Sequence, residues 1–129
     1  MYIKHIAIWA KDIDKLRIFY ETYFQAKVGK RYVNPAKQFE SYFLSFASGA
    51  SLELMQKPGI SQLLGDEDKQ FTGFSHLAIS VGSKEQVDLL TARLEKDGFR
   101  VVDGPRQTGD GFYESCVLDP DGNSIEITI

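Results

Sequence analysis

The sequence predicts an α+β fold built from two βαβββ modules within one domain. Each half begins with a candidate strand that contains a histidine, within the segment His-Ile-Ala-Ile in the first half and His-Leu-Ala-Ile in the second. In each half an amphipathic helical pattern follows, and then three further candidate strands. The length of 129 residues suits one domain, or two small modules that share a core.

The first module is expected over about residues 1–57. Ile3–Trp9 is rich in β-branched and aromatic residues, which is typical of a strand. Asp12 is a suitable N-cap for a helix over Ile13–Phe24, where apolar residues recur at helical spacing. Three strands complete this module, and we predict them at Ala26–Tyr32, Glu40–Phe46 and Ser51–Gln56.

The second module is expected over about residues 74–129. Its first strand is His76–Val81, and Ser83 followed three residues later by Gln86 forms a capping box that begins a helix. Gly98 fits the position after the end of that helix. Three strands follow, and we predict them at Phe99–Asp103, Tyr113–Leu118 and Ser124–Ile129.

Two connections stand out by their length and composition. Residues 58–73 join the modules, either as a linker with a short helix or as a mobile cover over a site. Arg106–Phe112 is expected to be a second mobile loop. Asp119–Asn123, in contrast, is a dense turn signal between two strands.

The composition excludes several classes of protein. The chain is 43% hydrophobic and 26% charged, with a net charge of −3, so nucleic acid is not an expected partner. No run of 18 apolar residues occurs, and the start of the chain lacks a signal-peptide pattern, so we expect no membrane partner and a cytoplasmic location. The single cysteine, Cys116, excludes an intrachain disulfide.

Four residues, His5, Glu53, His76 and Glu126, lie within short apolar runs at matched spacing, 48 residues apart in the first half and 50 in the second. Strand alternation places each of them opposite an aliphatic face, which we expect to pack against the helices while the other face lines a cavity. A mid-strand glutamate is costly to bury unless it is paired or binds metal. Singly, such residues more often make ordinary hydrogen bonds or face solvent. Their repetition in both halves favours a shared metal site.

The chain resembles the vicinal oxygen chelate superfamily, which includes glyoxalase I, bleomycin-resistance proteins and extradiol dioxygenases. The resemblance covers essentially the whole sequence, and four segments carry it: His5-Ile-Ala-Ile, Leu52-Glu53-Leu54, Gly73-Phe-Ser-His76-Leu-Ala-Ile and Leu118-Asp-Pro-Asp-Gly-Asn-Ser-Ile-Glu126-Ile. It implies curved mixed sheets around a metal cavity, the glyoxalase/bleomycin resistance/dioxygenase fold. It also implies a homodimer.

The four-ligand set is most similar to that of glyoxalase I. The resemblance therefore implies a lyase or isomerase that acts on a thiol hemithioacetal, or a related α-hydroxycarbonyl, through an enediolate. It implies one divalent metal ion, with Zn or Ni expected first and Co, Mn or Fe also suited to these ligands. Glu126 matches the family's usual base, and Glu53 is placed to act on the opposite face of the substrate.

Three alternatives remain open on the same scaffold. The alternatives to the glyoxalase I-like function are an Fe(II) dioxygenase, a thiol transferase that modifies an antibiotic, and a non-catalytic protein that binds a drug or metabolite. Glutathione-using relatives carry an Arg and an Asn four residues after the first two ligands, where this chain has Trp9 and Lys57. The expected partner is a small molecule, with a thiol conjugate as its expected form. Trp9, Lys57 and Arg106 are the candidates for binding it.

Overall fold

The computed structural model describes residues 1–61 and 72–129. The chain divides into two compact units, Met1–Leu64 and Gly65–Ile129. In each unit one helix lies against one face of a β-sheet. The two alternatives for residues 58–73, a short helix or a mobile cover, fall largely on residues 62–71, which lie outside the described residues.

The first unit contains a mixed five-stranded sheet. Its elements are β1 (His5–Trp9), α1 (Ile13–Phe24), β2 (Lys27–Val28), β3 (Tyr32–Asn34), a 3₁₀ helix (Pro35–Lys37), β4 (Phe39–Ser45) and β5 (Ser51–Gln56). The strand order is β1-β5-β4-β2, and β3 also pairs with β4. β1 runs parallel to β5, so the first and last strands of this unit are neighbours.

The second unit contains a mixed four-stranded sheet with the corresponding order, β6-β9-β8-β7. Its elements are β6 (Leu77–Ser80), α2 (Lys84–Lys96), β7 (Val101–Gln107), β8 (Tyr113–Leu118) and β9 (Ser124–Thr128). Here too the first and last strands, β6 and β9, are parallel neighbours. The α+β class and the two-sheet architecture are confirmed.

The helix-facing side of each sheet forms the core, as the alternation of the strands predicts. In the first unit, Leu52 and Leu54 of β5 and Leu44 of β4 are buried with the apolar face of α1. In the second unit, Ile125 and Ile127 of β9 are buried with α2 residues. The opposite face carries Glu53 in the first unit and Glu126 in the second, and we call it the polar face.

Both helices begin where the sequence predicts. The Asp12 side chain accepts hydrogen bonds from the backbone N–H groups of Asp14 and Lys15, at 3.0 and 3.1 Å. The Ser83 hydroxyl accepts one from Gln86 N–H at 3.3 Å. These contacts satisfy N–H groups that have no partner within the first turn of a helix. Within the described ranges, no helix has the length and apolar character needed to cross a membrane.

The predicted strand Ala26–Tyr32 is wrong as a single element. It is two short strands, β2 and β3, that pair with the same neighbour, β4. Three residues, 29–31, separate the two strands, whereas only two residues of β4 lie opposite them. The extra residue takes the chain out of the ladder after the Gly29 N–H bonds to Phe43 O at 2.8 Å.

The predicted loop Arg106–Phe112 is also too long, because Arg106 and Gln107 belong to β7 and pair with Glu114 and Tyr113. The register of β7 against β8 shifts twice, between Val101 and Asp103 and again before Arg106. The strand continues four residues beyond its predicted end at Asp103. The β1 strand begins at His5 rather than Ile3, a difference within the usual uncertainty of element ends.

Candidate metal centre

The first unit brings His5 and Glu53 together on its polar face. Their strands are parallel neighbours, and Glu53 pairs with Ala7, two residues after the histidine. His5 Nε2 lies 3.7 Å from Glu53 Oε2. The glutamate side chain is 15% exposed and the histidine 42%, so both remain accessible from the polar face.

The second unit repeats this arrangement. His76 directly precedes β6, and Glu126 pairs with Ala78, again two residues after the histidine. His76 Nε2 lies 3.0 Å from Glu126 Oε2, and the side chains are 40% and 23% exposed. The same register in two units means that the sequence repeat produces the same pair of donor atoms twice.

The residue on the far side of each glutamate differs between the units. Glu53 is flanked on β4 by Phe43, whose ring meets the His5 ring edge-on at 5.3 Å. Glu126 is flanked on β8 by Cys116, whose sulfur lies 3.7 Å from the Ser124 hydroxyl oxygen. Burial raises the pKa of the Cys116 thiol, and nearby carboxylates, among them Glu126, raise it further. The donor pairs are alike, but the first has an aromatic neighbour and the second a neutral thiol.

Trp9 and Lys57, two of the predicted substrate-binding residues, contact each other. The Lys57 ammonium nitrogen lies 5.0 Å from the centroid of the Trp9 ring, a cation–π contact. The indole also meets the Phe39 ring edge-on, at 6.1 Å between ring centroids. Trp9 is 40% exposed at the end of β1, on the same face as His5.

Arg106, the third predicted substrate-binding residue, lies in the second unit. Its Nε and Nη2 atoms donate to Asp103 Oδ2 at 2.6 and 2.5 Å. This hydrogen-bonded ion pair raises the pKa of Arg106 above its ordinary value. The two register shifts in β7 bring both residues to the face that carries Glu114 and Cys116 of β8.

A cavity of about 500 Å³ opens in the first unit at the ends of β1 and β5. Its lining consists of Ala10, Lys11, Gln38, Glu40, Gln56, Lys57, Pro58 and Ile60. Of the residues singled out in the sequence, only Lys57 contributes to it, and neither His5 nor Glu53 does. The lining comes from three separate stretches of the unit, which explains why no local sequence pattern reveals it.

The donor chemistry of each pair fits a divalent cation. Two ligands that each bind a metal at about 2.1 Å, roughly at tetrahedral or octahedral angles, lie about 3.0–3.4 Å apart. The 3.0 Å separation in the second unit matches this range, and the 3.7 Å separation in the first lies slightly outside it. Within neither unit do three or more described His, Cys, Asp or Glu side chains form a group suited to metal. One pair alone therefore offers only two ligands.

Comparison with known proteins identifies the family. A family model described as the Glyoxalase/Bleomycin resistance protein/Dioxygenase superfamily matches residues 2–127. A curated relative, the uncharacterized protein YqjT of Bacillus subtilis (strain 168), is 40% identical over 58 residues, which span 43% of this chain and 45% of that protein. The match to this relative thus covers less than half of its length.

Solved structures share the fold over nearly the entire chain. Glyoxalase I from Zea mays is 23% identical, with a TM-score of 0.78, over 98% of this chain and 44% of the maize chain. The trypanothione-dependent glyoxalase I of Leishmania major is 26% identical, with a TM-score of 0.75, over 99% of this chain and 86% of that chain. A structure from Bacillus cereus described as a possible glyoxalase is 27% identical, with a TM-score of 0.72, over 100% and 99%.

The family model matches residues 2–127, a range that includes both units. Both units also share one sheet order and one histidine–glutamate register. This chain belongs to the Glyoxalase/Bleomycin resistance protein/Dioxygenase superfamily.

Proposed function

We propose that this protein is a metal-dependent, glyoxalase I-like lyase or isomerase, and that His5, Glu53, His76 and Glu126 bind its metal ion. The observation that supports this most directly is the repeated pair, with Nε2–Oε2 distances of 3.7 and 3.0 Å in the same strand register. Two pairs supply the four protein ligands that one pair cannot. They would do so within one chain or between two copies of it, and either case gives one metal ion per chain.

The mixed nitrogen and oxygen donor set suits a borderline divalent ion such as Zn or Ni, and also Co, Mn or Fe(II). Bound there, the ion would supply positive charge that holds adjacent substrate oxygens and offsets negative charge as it develops on them. The substrate we propose is the hemithioacetal of a thiol and a ketoaldehyde, or a related α-hydroxycarbonyl.

The proposed reaction needs only a proton transfer by the protein. The Glu126 carboxylate takes the proton from the carbon bonded to sulfur and returns it to the neighbouring carbon. No atom is gained or lost and no oxidant is needed, because the reaction is an isomerisation. Glu126 is 23% exposed and on the polar face, so a substrate can reach it. Glu53, on the polar face of the first unit, is the proposed second base.

The first test is metal stoichiometry. We expect the purified protein, reconstituted with each of the five metals and freed of excess ion, to hold one equivalent per chain by elemental analysis. His5→Ala and His76→Ala should each reduce this value strongly, because each removes one ligand of the same ion. Glu114→Gln is the matched control, since it removes a polar-face carboxylate outside the four-residue set. Undiminished metal in both histidine variants would contradict the proposal.

The second test is turnover. We expect the metal-loaded protein to convert the methylglyoxal adduct of at least one thiol to the thioester. The absorbance of the thioester measures the rate of this conversion. Glu126→Gln should abolish this turnover and weaken metal binding, because it removes both the proposed base and one of the four proposed ligands. Oxygen consumption that depends on Fe(II), with no thioester formed from any adduct, would instead assign the dioxygenase class.

A further inference from the structure

The ring of Phe43 lies beside the first donor pair and differs from its counterpart in the second unit. Phe43 of β4 pairs with Glu53 of β5, and residues paired in this way point to the same face of a sheet. Its ring plane is perpendicular to that of His5, with the two centroids 5.3 Å apart. That geometry is one of the two that aromatic pairs prefer. Cys116, which carries no ring, has the equivalent place beside Glu126.

The contact between the two rings reaches across a whole strand. β5 separates β1 from β4 in the sheet order, so the backbones of β1 and β4 lie about 10 Å apart. Ser51 is the residue of β5 opposite His5, and its side chain is small, so the two rings can meet above it. The side chain at position 43 must therefore be large to touch the imidazole.

The two histidines differ in the distance to their glutamates. His76 Nε2 lies 3.0 Å from Glu126 Oε2, which is within hydrogen-bond range and orients the His76 ring. His5 Nε2 lies 3.7 Å from Glu53 Oε2, which is beyond that range. The His5 side chain is 42% exposed, and the Phe43 ring occupies one side of its imidazole. The first unit thus has a ring contact where the second has a direct hydrogen bond.

We propose that Phe43 is a positioning residue, which holds the His5 imidazole in the orientation that turns Nε2 towards Glu53. The consequence for metal binding rests on the proposed function, because His5 and Glu53 are two of the four proposed ligands. A side chain that is already oriented loses less conformational freedom when the ion binds, so the affinity for the ion is higher. Contacts that orient a metal-binding histidine from outside the coordination shell influence metal affinity for this reason.

The first measurement is made on metal-free protein by NMR. The chain contains only two histidines, so His76 serves as the internal reference for His5. Three-bond couplings about the Cα–Cβ bond report whether a side chain holds one rotamer or averages over several. We expect His5 to hold one rotamer in wild type and in Phe43→Tyr, which keeps the ring. In Phe43→Leu, which keeps an apolar side chain without a ring, His5 should average over several rotamers while His76 does not change.

The second measurement is the dissociation constant for Zn²⁺, obtained by competition with a chromogenic chelator. We expect Phe43→Leu to raise this constant roughly two- to ten-fold, the range that corresponds to the loss of one aromatic pair. Phe43→Tyr should stay near wild type. Phe112→Leu is the matched control, because it makes the same change at an exposed phenylalanine of the second unit, and it should alter neither measurement.

Two results would overturn the inference. One is a single His5 rotamer in Phe43→Leu, as in wild type, whatever happens to the affinity. The other is a Zn²⁺ dissociation constant that Phe43→Leu leaves unchanged. A wild-type protein that binds no Zn²⁺ would instead count against the proposed function, and the couplings in metal-free protein would still decide whether Phe43 orients His5.

Discussion

Glu126 and Ile127 are adjacent residues with opposite expected roles, and replacing each in turn separates fold from function. Ile127 is fully buried and pairs with Ile79 on one side and Ser115 on the other. We expect Ile127→Ala to lower the free energy of unfolding by roughly 3–4 kcal/mol, the cost of lost apolar burial and a residual cavity. Glu126 lies on the polar face and is 23% exposed, so Glu126→Gln in metal-free protein should change that free energy by less than about 1 kcal/mol.

Added metal should raise the free energy of unfolding of Ile127→Ala more than that of Glu126→Gln. An ion present at 100 times its dissociation constant stabilises a protein that binds it only when folded by about 2.7 kcal/mol. We expect wild type and Ile127→Ala to gain this increment, because both retain all four donors. Glu126→Gln should lose most of it.

The assay is urea unfolding followed by circular dichroism, first with a chelator and then with excess Zn or Ni. The slope with urea should be the same for each variant, so that midpoints compare stabilities directly. The reasoning would be refuted if Glu126→Gln were as destabilised as Ile127→Ala in the chelator. It would also be refuted if Glu126→Gln gained as much from metal as wild type.

Three further predictions concern contacts within the second unit. The oxygens of the buried Thr91 and Ser115 hydroxyls lie 2.5 Å apart. Thr91→Val should therefore lower the free energy of unfolding in urea by roughly 1–3 kcal/mol, because it leaves the Ser115 hydroxyl unpaired. Adding Ser115→Ala should recover part of this loss. Asp119→Ala removes a buried carboxylate that accepts three hydrogen bonds in its turn, and should cost roughly 2–3 kcal/mol; an unchanged midpoint would contradict that role. Burial raises the pKa of Cys116, so less of this residue is thiolate at neutral pH. Alkylation by iodoacetamide should therefore be slower than for a free thiol, and its rate should still rise with pH above about pH 9. A rate that reaches a plateau below that pH would refute this prediction.

The elements with a strong local signal are those that the sequence predicts best. The helix Ile13–Phe24 and the strands Ser51–Gln56 and Tyr113–Leu118 have the predicted bounds, because capping, helical spacing and strand alternation are properties of neighbouring residues. The same alternation correctly places the four proposed ligands on the polar faces. The histidine–glutamate pair in each unit then follows from the parallel contact of the first and last strands of that unit.

Features that depend on pairing between distant residues could not be predicted in this way. The split of Ala26–Tyr32 arises from a mismatch in residue number against β4, and the displacement of Asp103 and Arg106 arises from bulges against β8. Neither leaves a periodic signal in its own strand. The contact between Trp9 and Lys57 likewise requires the register of β1 against β5, which brings together residues 48 positions apart.

The parallel pairing of first and last strands has a consequence for the order of folding events. His5 and Glu53, like His76 and Glu126, become neighbours only after a chain segment of almost 50 residues has closed. Loop closure of this length carries an entropic cost that must be met before such distant contacts can stabilise the fold, which slows folding of proteins with non-local strand pairs. Neither donor pair exists in a half-formed unit. A metal ion added during refolding should therefore accelerate the early phase little and slow unfolding substantially, because its ligands are assembled only at strand closure.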